Sequence, residues 1–319
     1  HFLFLSLLIK SFEVKLLNME IKTIDSNLKY INLDNYINTW VYDCDNLCFL
    51  VDPGPSVLIN TLRKGLEHLK IKSNDLDYIL LTHPHIDHAG GVGKLLNFFP
   101  RAKIVCHPKG IKHLINPKKL WEGSLKALGK AAEFYGKIEP VPEDCIMYQE
   151  KIENGLIKVI ETLGHSPHHQ SYLFKEIIFV GEACGHHYPS DEVIYIRPAT
   201  PPIFEYDLYL SSLQILKNLD LNGYKICFPH WGIRDNAAMM INLAYNQITI
   251  WLKLIESLYD KKNQPNFMEL IYLELLKKDR IFSNLSRLNQ EIQSREPFTI
   301  RQSVAGIIGY IEKKMGQKM

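Results

Sequence analysis

Four side chains able to ligate a metal, His83, His85, Asp87 and His88, fall within six residues of the segment Leu81-Thr82-His83-Pro84-His85-Ile86-Asp87-His88-Ala89-Gly90-Gly91. The apolar run from Tyr78 to Thr82 just before them reads as a strand. The four are therefore delivered at a strand end, in a tight loop whose alternate side chains can converge on one point. Imidazole together with carboxylate is a donor set for zinc, iron or manganese. A loop this dense in ligands needs a sheet to hold it in place.

Candidate strands for such a sheet run through the first part of the chain. Short β-branched and aromatic runs, Thr39 to Tyr42, Cys48 to Asp52, Lys103 to His107, Ile177 to Val180 and Tyr224 to Phe228, alternate with helical stretches up to about residue 235. That alternation predicts a layered α/β core. Beyond it, Ile241, Ala244, Ile248, Trp251, Leu252, Ile255, Leu258 and Tyr259 recur at helical spacing. Phe267 to Leu276 and Ile300 to Ile311 read as helices too, and Thr299 with Gln302 fits a capping box that would open the last one. The expected organisation is a catalytic domain over 19–235 and a helical C-terminal region over 236–319. Every histidine and cysteine lies at or before His230, so the helical region carries no histidine or thiol chemistry.

Composition narrows the class without naming a partner. With 319 residues, 46% of them hydrophobic, the chain can bury a full core, which excludes disordered and fibrous classes. A net charge of +2, from 37 basic and 35 acidic residues, selects for no nucleic acid, and no basic stripe is visible. The six cysteines show no C-x-x-C spacing and suit free thiols in a reducing cytoplasm, the expected location. The apolar run from Phe2 to Ile9 is too short to span a bilayer. It also lacks the basic flank and cleavage site of a signal peptide. The first methionine is Met19, so residues 1–18 are expected to be an upstream segment outside the functional chain.

The ligand-rich loop matches the H-x-H-x-D-H signature of the metallo-β-lactamase superfamily at every position, and the chain resembles that superfamily over about residues 20 to 235. Gly164-His165-Ser166-Pro167-His168-His169 is similar to the family's G-H-T-P-G-H loop. Ile178 to Glu182 is similar to the strand that ends in its bridging carboxylate, and Phe228-Pro229-His230-Trp231-Gly232 to the strand that ends in its last histidine. Asp52-Pro53-Gly54 matches the D-x-G turn before the signature. The resemblance implies a four-layer αβ/βα sandwich, here with a C-terminal helical extension, and two divalent metal ions, zinc in the first place, with iron or manganese as alternatives. One ion would be held by His83, His85 and His165, the other by Asp87, His88 and His230, with Glu182 bridging. Two positions depart from the pattern: Glu182 stands where the family usually has aspartate, and His168 where it usually has glycine. Either the backbone at His168 tolerates a side chain, or the loop is reshaped and His168 points into the cleft.

Other polar residues have readings of their own. Asp52 is expected to brace the turn beneath the metals, and His169 to orient a ligand through a hydrogen bond. His186 and His187 would line the cleft or face solvent, Cys184 would be a lone buried thiol, and Arg197 would bind an anionic substrate group or make a surface ion pair. A metal-bound water has its pKa lowered to about 7, so hydroxide is available at neutral pH without a serine or cysteine nucleophile. Asp87 would orient that hydroxide and pass its proton to the leaving group. The implied activity is hydrolysis of a small-molecule ester, thioester or lactone, as in the glyoxalase II branch, with no nucleic-acid or membrane partner. The alternatives are a mononuclear iron persulfide dioxygenase using His83, His165 and Glu182, or a phosphodiesterase or nuclease of the same superfamily. The helical region resembles the extension of some small-molecule hydrolases and would roof the cleft or form a homodimer contact.

Overall fold

The computed structural model describes residues 20–24, 26–32, 36–44, 46–188, 190 and 192–316. The expectations for residues 1–18 and for a start at Met19 lie outside the described residues. The chain divides into two compact units, His1–Ile160 with Pro229–Trp231, and Glu161–Phe228 with Gly232–Met319.

The first unit is built on a seven-stranded sheet whose strands follow chain order: β1 (Glu20–Thr23), β2 (Leu28–Asn32), β3 (Asn38–Cys44), β4 (Leu47–Val51), β5 (Tyr78–Leu80), β6 (Lys103–Val105) and β7 (Ile146–Met147). Pairing is antiparallel from β1 to β4 and parallel from β4 to β7. Parallel neighbours require crossovers, which the helices Ile59–His68, Val92–Leu96 and Pro108–Ile115 supply. Val41, Leu50, Ile79 and Ile104 on one face pack with Leu62, Leu66, Val92 and Leu95 of those helices in one buried cluster. Trp40, Phe49, Val51, Leu80 and Val105, one position out of phase, are buried as well. A sheet buried on both faces explains why these strands read as continuous apolar runs rather than as alternating ones. The short strands β8 (Lys151–Ile152) and β9 (Ile157–Glu161) follow as an antiparallel hairpin.

The second unit holds β10 (Gln170–Phe174), β11 (Ile177–Phe179), a separate ribbon of β12 (His186–Tyr188) and β13 (Tyr195–Arg197), then β14 (Lys225–Cys227) and β15 (Ile233–Arg234). Its sheet runs β15-β14-β11-β10, with β11 and β14 parallel across the helix Tyr206–Lys217 and the other pairs antiparallel. The helical region lies in this unit. The spacing from Ile241 to Tyr259 corresponds to the helix Ala237–Leu258, whose Ile241, Ile248, Trp251 and Ile255 are buried, and Phe267 opens the helix Phe267–Lys278. Among the described residues, no helix is long and apolar enough to cross a membrane.

The last helix corrects one expectation. It runs Gln290–Gly316 with Pro297 in its interior, rather than opening at Thr299. The Thr299 hydroxyl donates back to the Glu296 carbonyl oxygen at 3.0 Å, the bond that a serine or threonine makes inside a helix, so it caps nothing. Proline normally ends or kinks a helix, whereas here the helix runs through Pro297 with the buried Glu296 in the turn before it.

Asp279 ties together the helices Ala237–Leu258, Phe267–Lys278 and Arg280–Ser283. Its carboxylate is 2% exposed, accepts from Gln247 Nε2 and Trp251 Nε1 at 2.8 Å each, and caps the backbone N–H groups of Ile281 and Phe282 at 3.0 Å. Asp279→Ala strands buried donors and removes the cap, an expected loss of about 2–4 kcal/mol. Asp279→Asn, which keeps one acceptor oxygen, is expected to cost less. Urea unfolding of the two variants checks the order, and an alanine variant as stable as the parent contradicts this role.

Candidate metal centre

In the first unit the polar side chains collect just beyond the carboxyl ends of β4 and β5, where open sheets with parallel strands place their ligands. The chain leaves β4 through Asp52-Pro53-Gly54, with φ of 52° at Asp52 and 82° at Gly54. This turn is clamped to the histidine loop: Gly54 N–H donates to the His88 carbonyl and Gly91 N–H to the Gly54 carbonyl, both at 2.9 Å. A Cβ at Gly91 would lie 3.1 Å from the Gly54 carbonyl oxygen and would displace the end of the Ile59 side chain, so glycine suits the close approach of the two segments. The buried Asp52 carboxylate accepts from the Thr82 backbone N–H at 2.8 Å and the Thr82 hydroxyl at 2.7 Å, and it bonds His88 Nδ1 at 3.0 Å. Asp52 therefore braces the loop.

These bonds fix which ring nitrogen carries the proton. The Thr82 hydroxyl donates to Asp52, so it accepts from His83 Nδ1 at 3.0 Å, and His83 Nε2 lies 2.9 Å from His85 Nδ1. His88 Nδ1–H is directed to Asp52, and His230 Nδ1–H donates to the Tyr36 carbonyl at 3.2 Å. His230 is held further by a β-bridge to Ile37, by the Asn38 N–H to Pro229 carbonyl bond of 2.8 Å, and by the Tyr36 ring stacked at 4.2 Å. The Nε2 lone pairs of His88 and His230 are thus left on the side of Asp87, 3.6 and 3.7 Å from its Oδ2. With both rings neutral, two lone pairs and a carboxylate oxygen at such distances repel one another, and either a proton or a metal cation among them would relieve this. Asp87, His88 and His230 each offer a ligand atom within 4.8 Å of the others, and this set can hold a metal ion. The unit also brings the His83 ring to 4.4 Å from His85 and 4.1 Å from His88.

The remaining two expected ligands meet in the second unit. His165 Nδ1–H donates to the Ala199 carbonyl at 2.8 Å, which leaves Nε2 facing Glu182 Oε2, also at 2.8 Å. Gly164, just before it, has φ 120°, and a Cβ there would lie 2.3 Å from the Tyr209 backbone. Burial would raise the Glu182 carboxyl pKa, but the imidazoles of His165 and His186, when protonated at Nε2, hold it well below the usual carboxylate range. His169, fully buried, accepts the Glu182 backbone N–H at its Nε2 at 3.0 Å. Its Nδ1–H donates to Thr162 Oγ1 at 2.8 Å, and Thr162 in turn bonds the Ser171 hydroxyl at 2.9 Å.

Arg197 neither faces a substrate nor pairs on the surface, because it is 1% exposed and its Nε–H donates to Glu296 at 2.7 Å. His186 and His187 are both buried. His186 Nε2 meets Glu182 Oε1, while His187 accepts from Arg234 Nε at 2.7 Å and stacks on Phe228. His168 is buried against Ser166 Oγ at 3.0 Å without a positive φ, so the backbone tolerates its side chain. Burial pushes the Cys184 thiol pKa far up, as an inert core cysteine requires. Thr82, Tyr36 and Glu296 escaped the sequence reading, since they act through tertiary hydrogen bonds that leave no local pattern.

The family model described as the metallo-β-lactamase superfamily matches residues 33–222, and the chain belongs to that superfamily. It is 32% identical over 167 residues to a metallo-β-lactamase fold-containing protein of Sulfurisphaera tokodaii, a match that takes in 50% of this chain and 61% of that protein. The chain thus spans less than two thirds of that relative. It is 27% identical over 265 residues to a hydroxyacylglutathione hydrolase of Buchnera aphidicola, covering 80% of this chain and 85% of that one. A solved structure of a metallo-β-lactamase family protein from Thermus thermophilus, 16% identical, superposes with a TM-score of 0.59 over 93% of each chain. The fold is therefore the metallo-β-lactamase fold with C-terminal helices.

Asp52→Ala is expected to cost the metal-free protein about 2–4 kcal/mol by stranding the Thr82 and His88 donors. It should also weaken zinc binding about 10- to 100-fold, because His88 loses its orienting partner. Asp52→Asn, which tolerates the same backbone conformation, should do less on both counts. Denaturant unfolding and zinc titration check this, and an alanine variant with unchanged affinity contradicts it.

Proposed function

We propose that this chain is a metal-dependent hydrolase of small-molecule thioesters. The observation that carries the proposal is the approach of the His88 and His230 Nε2 atoms to Asp87 Oδ2, with both Nδ1 atoms already committed elsewhere. The thioester assignment draws on the relative named hydroxyacylglutathione hydrolase, a name that denotes cleavage of a glutathione thioester.

On this reading Asp87, His88 and His230 would hold one divalent ion, with zinc as the metal, and His83, His85, His165 and Glu182 would serve as the further ligands. When bound, the ions would supply Lewis acidity, enough to lower the pKa of water to about 7. The protein's own groups do the rest. Asp87, whose side chain is 21% exposed, orients the attacking water and takes its proton at a carboxylate oxygen, then gives it to the departing thiolate. Asp52, Tyr36 and Ala199 fix the histidine tautomers, so no ring has to reorganise during turnover.

Purified protein is expected to contain close to two equivalents of metal and to hydrolyse thioesters ahead of lactones, β-lactams and phosphodiesters. Chelation should abolish the activity, and His88→Ala should lower it by roughly two orders of magnitude. Elemental analysis with a substrate panel decides the matter. Full turnover after metal removal overturns the proposal, and iron content with oxygen uptake on persulfides transfers the assignment to a dioxygenase.

A further inference from the structure

The ribbon of β12 and β13 sets His186 opposite Arg197 and Tyr188 opposite Tyr195. Alternate residues of a strand share a face, so these four side chains lie on one side of it. Glu296, from the interior of the helix Gln290–Gly316, is fully buried against that side. Its carboxylate accepts from the Tyr188 hydroxyl at 2.6 Å, the Tyr195 hydroxyl at 2.5 Å and Arg197 Nε at 2.7 Å. The guanidinium also donates through Nη1 to the Pro198 carbonyl and to Ser303 Oγ, and through Nη2 to His186 Nδ1 at 3.2 Å.

Arginine has donors only, so His186 Nδ1 must accept. The imidazole proton is then on Nε2, which donates to Glu182 Oε1. Glu182 Oε2 is the oxygen left on the His165 side. Four buried groups therefore run carboxylate, guanidinium, imidazole, carboxylate, each bond determining the next. Stability alone does not account for the Arg197–Glu296 pair, since a well-packed apolar pair of similar volume commonly serves as well. Its specific effect is on the tautomer: without the guanidinium, His186 could turn a lone pair toward Glu182 and repel it.

We infer that Glu296, Arg197 and His186 are positioning residues that present the Glu182 carboxylate in one orientation, so that the C-terminal helix governs how tightly this ligand holds its metal. The inference rests on Glu182 being a ligand, as proposed above.

Three variants test it, read by zinc affinity in competition with a chromophoric chelator and by the visible spectrum of the cobalt-substituted protein. His186→Leu removes the donor to Glu182 and should weaken zinc binding about 10- to 100-fold, with a shifted cobalt spectrum. His186→Gln keeps an N–H in that position and should stay within roughly threefold of the parent. The double replacement Arg197→Met with Glu296→Leu should weaken binding as His186→Leu does. Combined with His186→Leu it should add nothing further, because both act through one bond. The inference is overturned if His186→Leu and His186→Gln bind zinc equally well, or if the losses from the pair and from His186 add. Should the double replacement not fold, the leucine and glutamine variants decide by themselves. A parent protein that binds no metal overturns the hydrolase proposal as well, whereas a metal-loaded parent with indifferent variants overturns this inference alone.

Discussion

The Asp52 carboxylate is the contact on which the arrangement of the first unit depends. A buried carboxylate is tolerable only when donors surround it, and Asp52 takes its donors from the loop that carries the expected ligands. Satisfying Asp52 therefore also seats that loop. The turn it occupies returns the bond through Gly54 and Gly91, so the end of β4 and the segment after β5 are fixed to each other by backbone and side chain together. The tautomers of His83 and His88 follow from the same carboxylate, one through Thr82 and one directly. Electrostatic order at the site is thus a consequence of folding the sheet.

The same device recurs in the second unit with different partners. Glu296 collects two phenols and a guanidinium, and Asp279 collects an amide, an indole and two backbone N–H groups. Each joins elements about 30 to 110 residues apart in the chain, and each is buried. Apolar packing gives the helices their affinity for one another but leaves their register loosely defined. A carboxylate that must meet particular donors restricts that register.

What was legible in the sequence follows from how local each signal is. The strand ahead of His83 and the four expected ligands at its end lie within eleven residues, so one window shows both the element and the proposed chemistry. His165, Glu182 and His230 are single residues, singled out only because their motifs follow in a known order. The long helix Ala237–Leu258 was legible from its 3.6-residue spacing. The helix around Pro297 was not, because its first turns are held by Glu296 binding residues about 100 positions away. Arg197 was misjudged for a similar reason. A lone arginine at the end of a short apolar run has no charged neighbour in sequence to pair with, and only the register of β12 with β13 shows that it faces His186 and a buried acid.

Glutamate at position 182, in place of the aspartate usual in this superfamily, fits the surroundings of the side chain. The backbone there is fixed by His169, whose Nε2 accepts the Glu182 N–H, so the carboxylate can be placed only by side-chain length and rotamer. Two imidazoles face it, His165 at Oε2 and His186 at Oε1. A side chain one methylene shorter, on the same backbone, would draw the carboxylate back from both. The extra methylene and the buried histidine on β12 therefore belong together: the longer reach brings the carboxylate to a second donor, and that donor limits the rotamer freedom that length adds. The Arg197–Glu296 pair behind His186 completes the arrangement, since a donor can hold a carboxylate in place only if its own proton is fixed.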